Sequence, residues 1–346
     1  MEQIIRNALE NMAPETSLPS GTTDAQVDAA ITKIMRTTPE IFWFEGVYKY
    51  DTDCVRLELS YPFGISERNA LRNKINMVLC YYFQPEKLAA LSNLEKVTYV
   101  YWWLAGRCQY FEFARRPNSI AGVLVDRKAR GEGFAKAAQL LLRLLGVRCE
   151  LVYGRFREEF SYEHLCWNRV YIDGNPFHLD VSCADLTRGC YYHPPEGYRI
   201  ISRRLWDFFC KSDADIAYNR VVDPDCATCR CRHTLQLRNV SVLPLNNLNP
   251  YDPAFIPPAS VARVTLDAEI VEVAPDCTTG ISEKRPAPAF FIPAWSVKPQ
   301  RLRRKSKLKV PLRRPLENLP QYHVHEPQAV SLHCRGAPMP PAIDSG

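Results

Sequence analysis

Apolar residues recur at helical spacing through the first third of the chain. Val27, Ile31 and Ile34, with Asp24 near the start and Pro39 past the end, predict an amphipathic helix over 23–37. Residues 41–50 and 54–61 read as a strand pair. In the second run Val55, Leu57 and Leu59 alternate with Arg56, Glu58 and Ser60, so one face is buried. Leu71, Ile75 and Val78 form a stripe on a helix over 66–82. Val97, Val100, Tyr101 and Leu104 do the same over 94–108, with Asn93 as the predicted cap. Gly131 and Gly133 lead into a strongly apolar helix over 134–145 that Gly146 ends. Three strand-like runs follow, 149–156, 162–172 and 176–181, and Asp173-Gly174 between the last two is a two-residue hairpin signal. A short closing helix is expected at 206–209.

Beyond Pro244 the periodicity mostly vanishes, apart from a strand or two at 261–273. From Pro244 onward lie seventeen of the 27 prolines, with 13 basic and 9 acidic residues. That tail therefore carries most of the net charge of +6, and the body before it is nearly balanced. The composition predicts a globular body with an extended or disordered basic tail. The first 22 residues hold Glu2, Glu10 and Glu15 and no apolar run, unlike a secretory signal. No window approaches the ~18 apolar residues of a membrane span. Thirteen scattered cysteines lack the even framework of a disulfide scaffold, so reduced thiols and a cytoplasmic location are expected.

The stretch from Gly131 to Asp180 carries a resemblance. RGEGFAKA, GVRCELVYG and HLCWNRVYIDGNPFHLDVSC are similar to the glycine-rich helix start, the following strand and the "HAWNxVxIDGxWYxVDVTW" segment of the bacterial branch of the transglutaminase-like superfamily. LEKVTYVYWWLAGRCQYFEF and SIAGVLV resemble the segments that precede them, so the resemblance covers Pro39 to about Asp213. It implies an α+β fold with a papain-like core, in which a helix packs on an antiparallel sheet. The implied organisation is a helical segment 1–38, an α+β subdomain 39–119, the core 120–213, a Cys-rich closing segment 214–243, and the tail 244–346.

In that family a cysteine at the helix start attacks the acyl group, a histidine moves the proton and an aspartate orients the imidazole. The resemblance puts the nucleophile on Gly131, which has no atom to attack with. Counting back from Trp167-Asn168 puts the histidine column on Leu165, and His164 lies one residue earlier. Strand neighbours point to opposite faces, so His164 returns to the site only through a bulge at Cys166. Asp180 alone matches, either as an orienter or as a plain structural aspartate at a strand end. Trp167 reads as core or as a wall of the cleft. Cys149, Cys166 and Cys183 are alternative thiols, none of them at a helix start.

Cys226, Cys229, Cys231 and His233 form C-x-x-C-x-C-x-H, whose residue types suit zinc although four ligands within eight residues are cramped. No other cofactor is suggested. The run RLRRKSKLKVPLRR, from Arg301 to Arg314, has eight basic residues, no acid and no aromatic for base stacking. It suits weak, salt-sensitive polyanion binding. The expectation is an inactive transglutaminase-like domain that binds a protein or peptide. Its competitors are a thiol acyl-transferase or cysteine peptidase with a rearranged site using His164 and Asp180, and a polyanion binder acting through the tail.

Overall fold

The computed structural model describes residues 1–51, 55–157, 164–184, 206–243 and 261–273. The chain divides into two compact units, Met1–Lys284 and Arg285–Gly346, and all described residues lie in the first. Most of the basic, proline-rich tail, including Arg301 to Arg314, is outside the described residues.

Helix α1 (Glu2–Glu10) opens the chain and buries Ile5, Ala8 and Leu9, a three- and four-residue spacing too short to stand out from the sequence. Helix α2 (Asp24–Thr37) begins at a capping box in which Thr23 and Gln26 satisfy each other's backbone N–H. Strand β1 (Glu15–Ser17) pairs with β3 (Arg56–Leu59), which pairs with β2 (Tyr48–Tyr50). The expected strand pair is present but shorter. Helix α3 (Ile65–Tyr82) and the turn α4 (Pro85–Leu88) lead to α5 (Asn93–Ala105). The cap of α5 is Ser92, not Asn93, because Glu95 three residues on can close a capping box only from there. The short parallel pair β4 (Gln109–Tyr110) and β5 (Lys128–Ala129) brackets a π-helical turn at Gly122–Asp126.

Helix α6 (Gly131–Leu144) is buried on every side from Gly133 to Leu142, as a helix built of Ala and Leu with few polar positions must be. Its two interior polar side chains are tied down: Lys136 pairs with Glu132 at 2.8 Å, and Gln139 Nε2 donates to the Arg36 carbonyl, while Gln139 Oε1 stays buried without a hydrogen-bond partner. Gly146 follows the helix at φ +80°, the left-handed conformation expected of the residue after a helix end.

The sheet beneath α6 is antiparallel, in the order β8 (Asn175–Leu179), β7 (His164–Ile172), β6 (Cys149–Phe156), β9 (Arg220–Val222). Asp173 and Gly174 both have positive φ, the tight hairpin turn that joins β7 to β8. One face of the sheet, with Cys149, Cys166, Asn168, Val170, Phe177 and Leu179, meets α6 and the main core. The other, with Val152, Leu165 and Trp167, is covered by a small cluster containing Ile216 and Cys226.

Residues 206–209 form turns rather than a closing helix. The body also continues past the boundary expected at 244. Strand β10 (His233–Leu243) pairs along its length with β11 (Arg263–Glu272), and Ala262 and Val264 are buried in the main core. Apolar–polar alternation in VARVTLDAEIVEV marks that strand, whereas the surrounding prolines mask it.

Candidate functional site

The helix start, the strand and the aspartate do converge. β8 ends at Leu179, opposite Asn168, so Asp180 falls opposite Trp167 and the chain turns away into a 3₁₀ turn at Val181–Ala184. The N-terminus of α6 fills the gap left there. A Cβ at Gly131 would lie 3.5 Å from the Cys166 carbonyl oxygen and 3.5 Å from Ser182 Oγ. Ser182 in turn donates to Asp180 Oδ1 from its backbone N–H (2.9 Å) and its hydroxyl (2.6 Å). Gly131, Cys166, Ser182 and Asp180 therefore form one connected cluster. Both distances from Gly131 are ordinary contacts, so packing does not require glycine there.

His164 is not part of it. The β6–β7 pairing runs unbroken from Cys149↔Val170 to Arg155↔His164, so the bulge at Cys166 that would have returned His164 to phase is absent. His164 shares the parity of Cys166 and Asn168, whose side chains face α6, while Leu165 shares the parity of Trp167. Three residues of strand also separate His164 from Trp167, about 10 Å at ~3.3 Å per residue. His164 is exposed at the first residue of β7.

The cation beside Asp180 is Arg220, from β9. Its Nη1 lies 2.6 Å from Asp180 Oδ2 and its Nη2 donates to Cys183 Sγ at 3.1 Å. The guanidinium sits 5.1 Å from the Trp167 ring centroid and 4.4 Å from that of Phe208. Burial works against the charge on Arg220, but Asp180 and Cys183 outweigh it and raise its pKa. A buried carboxylate must be paired, and here the pairing is made by an arginine forty residues away in sequence.

A second carboxylate pair, with a histidine, lies on the same face. His178 Nε2 is 2.8 Å from Asp213 Oδ1, and Trp167 Nε1–H donates to His178 Nδ1 at 2.9 Å. Since Trp167 can only donate, Nδ1 is the acceptor and Nε2–H faces Asp213. Burial pushes the His178 pKa below the usual histidine value, with Asp213 acting in the opposite direction. Trp167 is 1% exposed, so it is a core residue that orients His178 rather than a cleft wall.

The C-x-x-C-x-C-x-H segment does not assemble as expected. Among the described residues, the group of three metal-ligating side chains that comes together is His178, Asp213 and Cys231, with ligand atoms within 4.8 Å of one another. Cys226 instead accepts the Tyr153 N–H, and His233 begins β10 near Phe177. Eight residues wrapped around a turn and a strand start send these side chains in different directions. The new group does not suit zinc either: a metal on Nε2 would move the imidazole proton to Nδ1, against the Trp167 donor. Nor is it a relocated triad. Both nitrogens of His178 are engaged, and burial, then Asp213, pushes the Cys231 thiol up to about 12. Burial also raises the Cys149 and Cys166 thiols. Cys183 is half-buried in the 3₁₀ turn, with Sγ 3.6 Å from Asp180 Oδ2.

No helix among the described residues is long and apolar enough to cross a membrane. Residues 85–181 match the model of the transglutaminase-like superfamily. Among solved structures, a TGase is similar at 14% identity over 56% of this chain and 51% of that one, with a TM-score of 0.29. A candidate cysteine protease from Cytophaga hutchinsonii is 20% identical over 31% of this chain and 42% of that one, with a TM-score of 0.24. A candidate protease from Parabacteroides distasonis is 10% identical over 40% and 34% of the respective chains, with a TM-score of 0.22. The chain thus spans between 34% and 51% of the length of these structures. No curated protein matched it. The match covers α5, α6, the β6–β7–β8 segment and Asp180, and the chain accordingly carries a transglutaminase-like domain of the α+β, papain-like kind.

Proposed function

We propose that this transglutaminase-like domain does not catalyse acyl transfer and that it binds a protein or peptide. The observation that carries the reading is the Asp180–Arg220 ion pair at 2.6 Å. The aspartate that would orient an imidazole is already engaged by a cation that cannot accept a proton, since a guanidinium stays charged. Gly131 at the head of α6 and Leu165 on the Trp167 face support the same conclusion, because such a triad acts as a unit. The rearranged site using His164 and Asp180 is disfavoured by their opposite faces. A cytoplasmic location and polyanion binding through Arg301 to Arg314 remain part of the proposal.

The test is thiol reactivity in the native protein. With a small fluorescent iodoacetamide at neutral pH, the exposed Cys80 should label at the rate of an ordinary thiol, and no cysteine should be faster. One cysteine labelling tenfold or more faster than Cys80 would overturn the reading.

A further inference from the structure

Strand β11 is paired along one side. Just past its end the Val273 N–H donates to the Arg232 carbonyl, so the odd-numbered residues of the strand turn their backbone groups toward β10. The N–H and C=O of Val264, Leu266, Ala268 and Ile270 therefore point to the opposite edge, and among the described residues no strand pairs there. Side chains alternate across the sheet instead: Val264, Leu266 and Ala268 pack against the core, while Arg263, Thr265, Asp267 and Glu269 are exposed. The strand is ten residues long, holds no proline, and the register shift of the hairpin lies in β10. Its outer edge is thus regular enough to accept another strand.

The side chains decide which strand fits. A second copy added about a two-fold axis perpendicular to the sheet runs antiparallel and keeps the same face toward the core, so residues of like parity stand opposite. An axis at Asp267 would set Asp267 against its own copy, and an axis at Ala268 would set it against Glu269, like charges directly opposite. An axis at Leu266 removes both conflicts. It sets Arg263 opposite Glu269 and Thr265 opposite Asp267, each twice by symmetry. On the core side it sets Leu266 against Leu266 and Val264 against Ala268, and it covers Ile270, 37% exposed, with Ala262. Val261, 42% exposed, meets Val271. Glu269 also lies 3.3 Å from Arg238 of its own hairpin. Arg238, Asp267 and Glu269 together carry one net negative charge, which Arg263 of the second copy neutralises.

We propose that the chain pairs with a second copy of itself through the outer edge of β11, in the antiparallel register centred on Leu266. The two hairpins then join into one four-stranded sheet, β10–β11–β11–β10. The proposal does not depend on whether the domain is catalytically active, because no residue of the hairpin belongs to the Gly131–Asp180 cluster.

The experiment is sedimentation velocity of the full chain over a wide dilution series, where a monomer–dimer equilibrium is expected. Arg263→Glu sets acid against Glu269 at both ends of the interface and should weaken the dimer by about tenfold or more. That position is exposed and outside the Arg238–Glu269 pair, so the fold is left alone. The charge swap Arg263→Glu/Glu269→Arg should bring the affinity back to within about threefold of the parent, a rescue that only opposed charges produce. Ala268→Pro removes an edge-facing N–H while sparing the β10 ladder, and should abolish the dimer with an unchanged circular dichroism spectrum. A chain that sediments as a monomer throughout, a dimer indifferent to Arg263→Glu, or a swap no tighter than Arg263→Glu alone would overturn the proposal.

Discussion

The two faces of the β8–β7–β6–β9 sheet use the same strands for opposite purposes. Toward α6, residues such as Val170, Phe177 and Leu179 join a large apolar core, and the few polar groups, such as Asn168 Nδ2 on the Ala135 carbonyl, are tied to backbone. On the other face, His178, Asp180 and Arg220 are buried and held in two pairs, His178–Asp213 and Asp180–Arg220, with Arg169 buried beside them and donating to the Cys226 carbonyl. The first face is held by area removed from water, which is insensitive to partner identity. The second depends on each charge keeping its particular partner. A family that places an acyl-transfer site on this sheet needs polar groups there, and in this chain those groups neutralise one another.

The strongest way to break the comparison is to remove one member of a pair. Arg220→Ala should cost about 3–5 kcal/mol in urea denaturation by leaving Asp180 buried and uncompensated, and the double change Asp180→Asn/Arg220→Met should cost less than the sum of its parts. A cost near zero for Arg220→Ala would show that the pair does not hold this face. The two glycines at the head of α6 offer the next test. A Cβ at Gly133 would meet the Pro117 carbonyl oxygen at 2.6 Å and Ala129 Cβ at 2.9 Å, so Gly133→Ala should destabilise by about 1–3 kcal/mol. Gly131→Ala, with nothing nearer than 3.5 Å, should change stability by no more than about 0.5 kcal/mol.

The His178 pair predicts a pH dependence with a definite sign. Burial holds the folded-state pKa below that of the unfolded chain, near 6.5. Between those values the unfolded state binds more protons. Stability from this group is therefore complete above pH ~6.5 and declines as pH falls toward the folded pKa, by at most about 1.4 kcal/mol per pH unit. Denaturation midpoints of His178→Gln from pH 7.5 to 5 should show a shallower decline than the parent, and an unchanged slope would remove His178 from the account. The smallest expected effect sharpens the comparison most. Gly131→Cys should fold normally and give a thiol that labels within about threefold of Cys80. The same change combined with Leu165→His should label faster by about tenfold or more if position 165 is the place for a general base.

Much of this fold is legible in local pattern. Thr23 with Gln26, Gly146 after α6 and Asp173-Gly174 between β7 and β8 are features whose physics is complete within a few residues, and each stands where its chemistry requires. The segment from Gly131 to Asp180 is equally legible as a resemblance, and the family match over 85–181 agrees with it. Strand parity already placed His164 and Leu165 on opposite faces, and the unbroken β6–β7 register leaves them so. The misses have a common cause. Asn93 suits a cap by residue type alone, whereas the capping box needs Ser92 with Glu95 at the third helical residue. The cysteines and histidine of 226–233 are close in sequence, but one- to three-residue steps through a turn scatter their side chains.

What the sequence determined by itself is the longer helices and strands from α2 to β8, the order in which they occur, and the absence of a nucleophilic atom at Gly131. Those follow from hydrogen bonding and side-chain periodicity over one or two turns. Which cation answers Asp180 and which carboxylate answers His178 were decided only by tertiary structure. Arg220 and Asp213 carry no local signature of their roles. They acquire them when β9 docks beside β6 and the segment behind it folds over Trp167, because a buried charge is paired by whatever the folded chain brings within about 3 Å.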